Sequence, residues 1–274
     1  MSQIIIITWD AVRPDGLAKA NTPWLDSMIK KGGAFCANGK TIMPSNTQPA
    51  HTSLFYGSDT KIHNLTVNNT YPNPPKEYKT LFDYAYDAGL HTGAFIGWEA
   101  MKLVYGKVGS LQSLRYHKNS IGHDCKCFEE PENQIVNDRY VDVAIEYYML
   151  EKPDLSHLYF PYPDMVGHKN GWMSDEYISA IEETDEHTRR FFEALDKAGH
   201  EYTIFLTTDH GGHNFDHGTE ANEDMNTWMF AYGKGIKTVE FDSFKITDIA
   251  PTVATYLNLP IHPLTQGKPL DILD

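Results

Sequence analysis

Two unbroken runs of apolar and β-branched residues, at 3–8 and 202–208, constrain this chain more than any other feature. A strand with one wet face alternates apolar and polar side chains, whereas a run without alternation belongs to a strand covered on both faces. Such strands are the interior of a parallel sheet. Each run leads directly into an acidic residue, Trp9-Asp10 after the first and Thr208-Asp209 after the second. In open parallel sheets, ligands bind beyond the carboxyl ends of the strands. The two most strongly marked strands therefore deliver carboxylates to the place where a ligand would sit.

The rest of the chain alternates between strand and helix patterns. Strands are expected at 91–96, 155–160 and 227–232. Helices are expected at 22–33, 47–56, 80–88, 134–150, 174–198 and 247–257. Thr22-Pro23 reads as N-cap and first helical residue, Ser174 as another N-cap, and Gly57 as a stop after a helix whose Pro49 falls in the first turn. This alternation predicts an α/β fold with a mostly parallel central sheet and helices on both faces. A chain of 274 residues can form one large domain over 1–274. Residues 98–132 lack periodicity and are expected to be an insertion near the site.

Composition narrows the function. A net charge of −14 argues against binding to nucleic-acid polymers or anionic membranes. It does not exclude a small anionic substrate, because bound cations reverse the local sign. No apolar stretch approaches the roughly 20 residues that span a bilayer. The amino terminus reads Met-Ser-Gln and enters the first strand with no basic region, so no signal peptide and a cytoplasmic location are expected. Three cysteines do not make a disulfide framework, and Cys36 reads as a small core residue. His117, His123, Cys125 and Cys127 lack the usual zinc-finger spacing. Nothing in the sequence sets an oligomeric state.

Two short motifs carry the chemistry. Asp164-Met165-Val166-Gly167-His168 places a carboxylate and an imidazole four residues apart, in the loop expected after the strand at 155–160. One helical turn or a tight loop could aim both at one ion. Thr208-Asp209-His210-Gly211-Gly212 offers the same two groups on adjacent residues, with glycines that permit a bend. Either motif alone is equally consistent with an aspartate and a histidine on the solvated surface. Both following strands, with Asp10 after a third, favour a metal site.

Four segments together resemble the alkaline phosphatase superfamily, and most closely its type I phosphodiesterase/nucleotide pyrophosphatase branch, with sulfatase-like relatives nearby. They are Ile7-Thr8-Trp9-Asp10 with Arg13-Pro14-Asp15; Pro44-Ser45-Asn46-Thr47-Gln48-Pro49-Ala50-His51; Pro163-Asp164-Met165-Val166-Gly167-His168; and Thr208-Asp209-His210-Gly211-Gly212. Ile249-Ala250-Pro251-Thr252 also fits. The resemblance implies two divalent ions, zinc first, with manganese or iron as alternatives. One would be held by Asp10, Asp209, His210 and the Thr47 hydroxyl. The other would be held by Asp164, His168 and a later histidine, His217 ahead of His213. Thr47 matches the nucleophile, with Ser45 aligning less well, and Thr47 could equally serve as a helix N-cap. Asn68 matches an asparagine that holds a phosphoryl oxygen, together with the backbone amide near Gln48; Asn64 and Asn69 are rivals.

The implied reaction is cleavage of phosphodiester or pyrophosphate bonds in a small phosphorylated or nucleotide-like substrate, through a phosphothreonine intermediate. Two divalent ions against three aspartates leave the implied site near neutral, and the nucleophile segment has no arginine to grip a dianion. That leans toward a diester over a monoester, with Arg13 as the one basic residue close to Asp10 in sequence. The alternatives are a phosphomonoesterase or sulfatase-like hydrolase of the same superfamily and, from another class, a non-catalytic metal-binding module. A sulfatase would need Cys or Ser in a Cys/Ser-x-Pro-x-Arg segment, and a mutase would carry a serine nucleophile and a cap domain.

Overall fold

The computed structural model describes residues 2–114 and 130–274, with side chains described from 138 onward in the second segment. A nine-stranded sheet forms the centre. Its strands are β1 (Gln3–Trp9), β2 (Ala34–Lys40), β3 (Thr92–Ile96), β4 (Ser110–Ser113), β5 (Leu155–Phe160), β6 (Tyr202–Thr207), β7 (Asn226–Tyr232), β8 (Val239–Glu240) and β9 (Phe244–Lys245). The order is β4-β3-β5-β1-β6-β7-β2-β8, with β9 also pairing β2. All neighbours are parallel except those of β7, which runs antiparallel to β6 and β2. The mostly parallel sheet expected from the sequence is what forms.

The unbroken runs do lie inside this sheet. Ile5, Ile7 and Trp9 of β1 enter one core, and Ile4 and Ile6 enter the other. The first core packs under α1 (Pro14–Lys19), α2 (Pro23–Lys31), α6 (Glu130–Glu151), α7 (Tyr162–Asn170) and α8 (Asp175–Lys197). On the opposite face lie α3 (Thr47–Tyr56), α5 (Leu81–Asp87) and α10 (Ile249–Tyr256). The short helices α4 (Thr60–His63) and α9 (Asn222–Met225) sit in connections. Among the described residues, no helix is long and apolar enough to cross a membrane.

Several elements depart from expectation. β2 was not foreseen, because its Asn and Gly interrupt any period-2 pattern and its register shifts between Cys36 and Gly39. The segment after β5 is the helix α7 and not a loop. Of the expected insertion, 99–103 is a 3-10 helix and Ser110–Ser113 is an edge strand, while His117, His123, Cys125 and Cys127 lie outside the described residues. Cys36 is buried in the core as expected.

Helix caps follow the sequence in part. Ser174 accepts from the Tyr177 amide, and Gly57 takes the left-handed conformation that ends α3. Thr22 does not cap α2 with its side chain. Instead Asp185, from the middle of α8, accepts the Trp24 and Leu25 amides at 2.9 Å each. Asp185→Ala would leave two buried donors unsatisfied. We expect it to lower unfolding free energy by roughly 2–4 kcal/mol, read as a lower denaturant midpoint with unchanged m-value.

Candidate active site

Because β1, β5 and β6 run parallel and in register, their carboxyl ends open on one edge of the sheet. Asp10 follows β1, Asp164 and His168 lie on α7 after β5, and Asp209-His210 follow β6. Thr47 is the first residue of α3, reached from the end of β2. Five of the seven expected ligands follow the three central strands directly, a placement that parallel pairing permits.

Asp10, Asp209 and His210 bring their ligand atoms together in one fully buried cluster. His210 Nε2 stands 3.4 Å from Asp10 Oδ1, 3.4 Å from Asp209 Oδ2 and 3.2 Å from the Thr47 hydroxyl. A second cluster adjoins it, in which Asp164 Oδ1 lies 3.5 Å from both His168 Nε2 and His217 Nε2. The His210 and His217 rings stack with centroids 4.0 Å apart, so the clusters share a wall. The second cluster is the more open one, with the His168 side chain 31% exposed and that of His210 fully covered. Thr47 does not act as a side-chain cap, since the N-cap position belongs to Asn46 and the hydroxyl turns into the cluster.

The donor set fits divalent cations on two grounds. First, Asp10 Oδ1, Asp164 Oδ1 and Asp209 Oδ2 are buried without any hydrogen-bond partner, whereas buried polar atoms in proteins are nearly always paired. These are the oxygens that face the imidazole nitrogens. Second, His210, His168 and His217 each direct Nδ1 at a backbone carbonyl, of Gly211 at 2.7 Å, Phe215 at 3.0 Å and Ser45 at 3.0 Å. A carbonyl only accepts, so each Nδ1 carries the hydrogen. Each Nε2 lone pair is then left facing a carboxylate, an arrangement suited to a shared cation.

The other oxygens of Asp10 and Asp209 are fixed from outside the cluster. Tyr159 donates to Asp10 Oδ2, and the Ala11 amide donates to Asp209 Oδ1 at 3.1 Å. Ala11 itself holds φ +56, and its carbonyl accepts from Tyr177 at 2.7 Å and from Trp172 Nε1 at 3.3 Å. Burial, and then the charges of Asp209 and Asp164, push the Asp10 carboxyl well above its ordinary range. Burial also tends to raise Asp209, but the His210 and His51 rings outweigh it and leave this carboxyl lowered. His217 is pushed down to about 4 by burial and by His210, while the Asp164 charge raises His168. Protonation of this cluster is thus split unevenly by crowding of like charge, which bound cations would relieve.

Several expectations are corrected here. His213 turns away to Asp224, at 2.7 Å, so His217 is the later histidine that reaches Asp164. The loop bends at Asp209, and Gly211 and Gly212 serve close approach: a Cβ on Gly211 would meet the Glu223 carbonyl at 2.0 Å, and one on Gly212 would meet Trp172 at 2.2 Å. Asn68 Oδ1 accepts the Gln48 amide at 3.1 Å, so that amide is not free for substrate. Asn64 turns into its own loop toward the Asn73 carbonyl, and Asn69 meets the Gln48 side chain through its backbone. Ser45 is a support, its hydroxyl on the Thr219 carbonyl and its own carbonyl under His217. Arg13 is engaged by Asp15, at 2.8 Å from Nε, and by the Gly212 carbonyl at 3.1 Å. The sequence reading missed Tyr159, His51 and Asp216, the last close to His168 and His217. Tyr159 carried a signal, as a polar residue near the end of a buried strand.

Comparison with known proteins gives the family and the fold. Residues 4–258 match the type I phosphodiesterase/nucleotide pyrophosphatase family. The chain belongs to this family. Among curated proteins, human ectonucleotide pyrophosphatase/phosphodiesterase family member 7 is 23% identical over 77% of this chain and 48% of its own length. A 2,3-bisphosphoglycerate-independent phosphoglycerate mutase from Aeromonas salmonicida is 34% identical over 42% of this chain and 22% of its own. The match thus spans half or less of these curated relatives. Among solved structures, an inactive murine ectonucleotide pyrophosphatase/phosphodiesterase 5 in complex with AMP superposes with a TM-score of 0.78 at 15% identity, covering 100% of both chains. This likeness shows the alkaline phosphatase-like fold.

Two measurements check the donor set. Zinc or manganese at a hundredfold excess over Kd should stabilise the metal-free protein by about 2.7 kcal/mol, or roughly 5–10 °C in Tm, and Asp209→Ala should remove most of that shift. Tyr159→Phe, which frees Asp10 Oδ2, should weaken metal affinity about 10- to 100-fold by competition with a chelator.

Proposed function

We propose that this family member is a metal-dependent phosphohydrolase that cleaves phosphodiester or pyrophosphate bonds through a phosphothreonine intermediate on Thr47. A single domain over 1–274 is proposed to carry this activity. One observation supports the reading above all: the Thr47 hydroxyl and two unpaired carboxylate oxygens converge on one imidazole nitrogen. Asp10, Asp209, His210 and Thr47 would hold one divalent ion, and Asp164, His168 and His217 the other. Bound there, zinc, or alternatively manganese or iron, would supply Lewis acidity and offset negative charge.

The chain's own residues do the rest. Thr47 sits at the positive end of α3, where an ionised oxygen is favoured. Its Oγ1 attacks phosphorus in line, the new O–P bond forming as the bond to the leaving oxygen breaks, and the hydroxyl proton passes through solvent to the leaving oxygen; in the second step a water proton returns to Thr47. Water then attacks the same phosphorus from the more open side, by His168, and Thr47 is restored. Asn68, anchored through Oδ1, keeps its amide hydrogens to donate to a non-bridging oxygen. The engagement of Arg13 by Asp15 and Gly212 leaves it poorly placed to grip a dianion, which supports a monoanionic diester. A small phosphorylated or nucleotide-like substrate is the class proposed, and the murine relative's complex with AMP supports it.

The test is hydrolysis of bis-p-nitrophenyl phosphate, p-nitrophenyl phosphate and p-nitrophenyl sulfate with added zinc or manganese. The diester should be cleaved with the highest kcat/KM, and Thr47→Ala should lower kcat by roughly 10⁴–10⁶-fold. Preference for the sulfate overturns the proposal. Absence of turnover on all three, with Thr47→Ala indistinguishable from wild type, identifies a non-catalytic metal-binding module.

A further inference from the structure

Four fully buried polar side chains on the α3 face of the sheet take no part in the reaction above: Thr8 near the end of β1, His51 on α3, His157 in the middle of β5, and Tyr105. A polar group buried without a partner costs about 1–3 kcal/mol, so a cluster of them requires an account. These four are joined in one line. Tyr105 Oη lies 2.6 Å from His157 Nδ1, and His157 Nε2 lies 2.9 Å from Thr8 Oγ1. Thr8 Oγ1 lies 2.9 Å from His51 Nε2, and His51 Nδ1 lies 2.8 Å from the backbone carbonyl of Thr47.

The last contact sets the direction of the others. A carbonyl oxygen only accepts, so His51 Nδ1 carries a hydrogen. Thr8 has one hydrogen to share between two ring nitrogens. Given to His51 Nε2, it leaves Thr8 Oγ1 free to accept from His157 Nε2, and His157 Nδ1 free to accept from Tyr105. Every buried donor then meets an acceptor. In the reverse order the Tyr105 hydroxyl hydrogen would face a second donor, and among the described residues His157 is its one side-chain partner. Burial holds the His157 pKa well below its ordinary value, in keeping with a single ring hydrogen.

We propose that this line is a positioning relay: it fixes the tautomer and ring plane of His51, which holds the main chain of Thr47 and packs its ring beside the Asp209 carboxylate. The same Nδ1 that donates to the Thr47 carbonyl stands 3.3 Å from Asp209 Oδ2. A tyrosine remote from the cluster thereby sets where the nucleophile and one metal-facing carboxylate sit relative to each other. The kinetic consequence rests on the proposed role of Thr47; the tautomer does not.

Two readouts test it. In metal-free protein labelled with ¹⁵N-histidine, long-range N–H correlation spectra should show hydrogen on Nδ1 of His51 and on Nε2 of His157. Tyr105→Phe should shift the His157 nitrogens and mix its tautomers. Kinetically, His51→Asn puts an amide N–H near the Nδ1 position and should keep kcat within about tenfold, whereas His51→Phe should lower kcat about 100-fold with KM within about twofold. Tyr105→Phe, the milder change, should lower kcat about three- to tenfold and covers the case in which His51→Phe fails to fold. A His51 hydrogen found on Nε2 in the wild type overturns the relay, as does Tyr105→Phe with unchanged spectra and unchanged kcat. If the wild type hydrolyses nothing, the functional proposal falls while the spectra still decide the relay.

Discussion

Three buried carboxylate oxygens that face imidazole nitrogens without a hydrogen bond are the feature around which this protein is arranged. Burying like charges together is among the most expensive things a fold can do. The structure offsets part of this around the cluster: Tyr159 and the Ala11 amide take the other oxygens of Asp10 and Asp209, and backbone carbonyls take the Nδ1 hydrogens of the three histidines. In Asp10 and Asp209 the oxygen left unpaired is the one that faces the imidazoles, which is the pattern of a site built around cations.

A packing device holds the two clusters together. The Trp172 indole fits between Gly167, in the Asp-x-x-Gly-His segment, and Gly212, in the Asp-His-Gly-Gly segment; a Cβ at either would come within 2.6 Å of the ring. Its Nε1 hydrogen reaches the carbonyl of Ala11, next to Asp10. One side chain thus touches all three segments that carry the central carboxylates, so the spacing between the clusters is set by a rigid ring and not by loop flexibility. Glycine at these motif positions answers to close approach, since neither position has positive φ.

The fold was legible in the sequence wherever burial was complete on both sides. β1 and β6 showed as unbroken runs because their apolar side chains pack into cores on both faces of the sheet. β2 was not legible, since its exposed and bulged half follows no period. The cap on α2 was misread because the acceptor is Asp185, more than a hundred residues away on α8. Local patterns report local environments, and a tertiary cap leaves no local pattern.

The sequence by itself determined which residues could do chemistry and that they would share an edge: acidic and imidazole groups just after buried parallel strands can lie nowhere else. It also fixed family membership, through short motifs of particular spacing. Only the tertiary structure decided which atoms meet. It turned His217 toward Asp164 and His213 away toward Asp224, bound the Gln48 amide to Asn68, and engaged Arg13 with Asp15. It also aligned Thr8, His51, His157 and Tyr105, residues whose sequence neighbours give no hint of one another. The physical reason is that hydrogen bonds and ion contacts depend on direction and on distances of a few ångströms, and in a doubly covered sheet these are set by contacts between segments far apart in the chain.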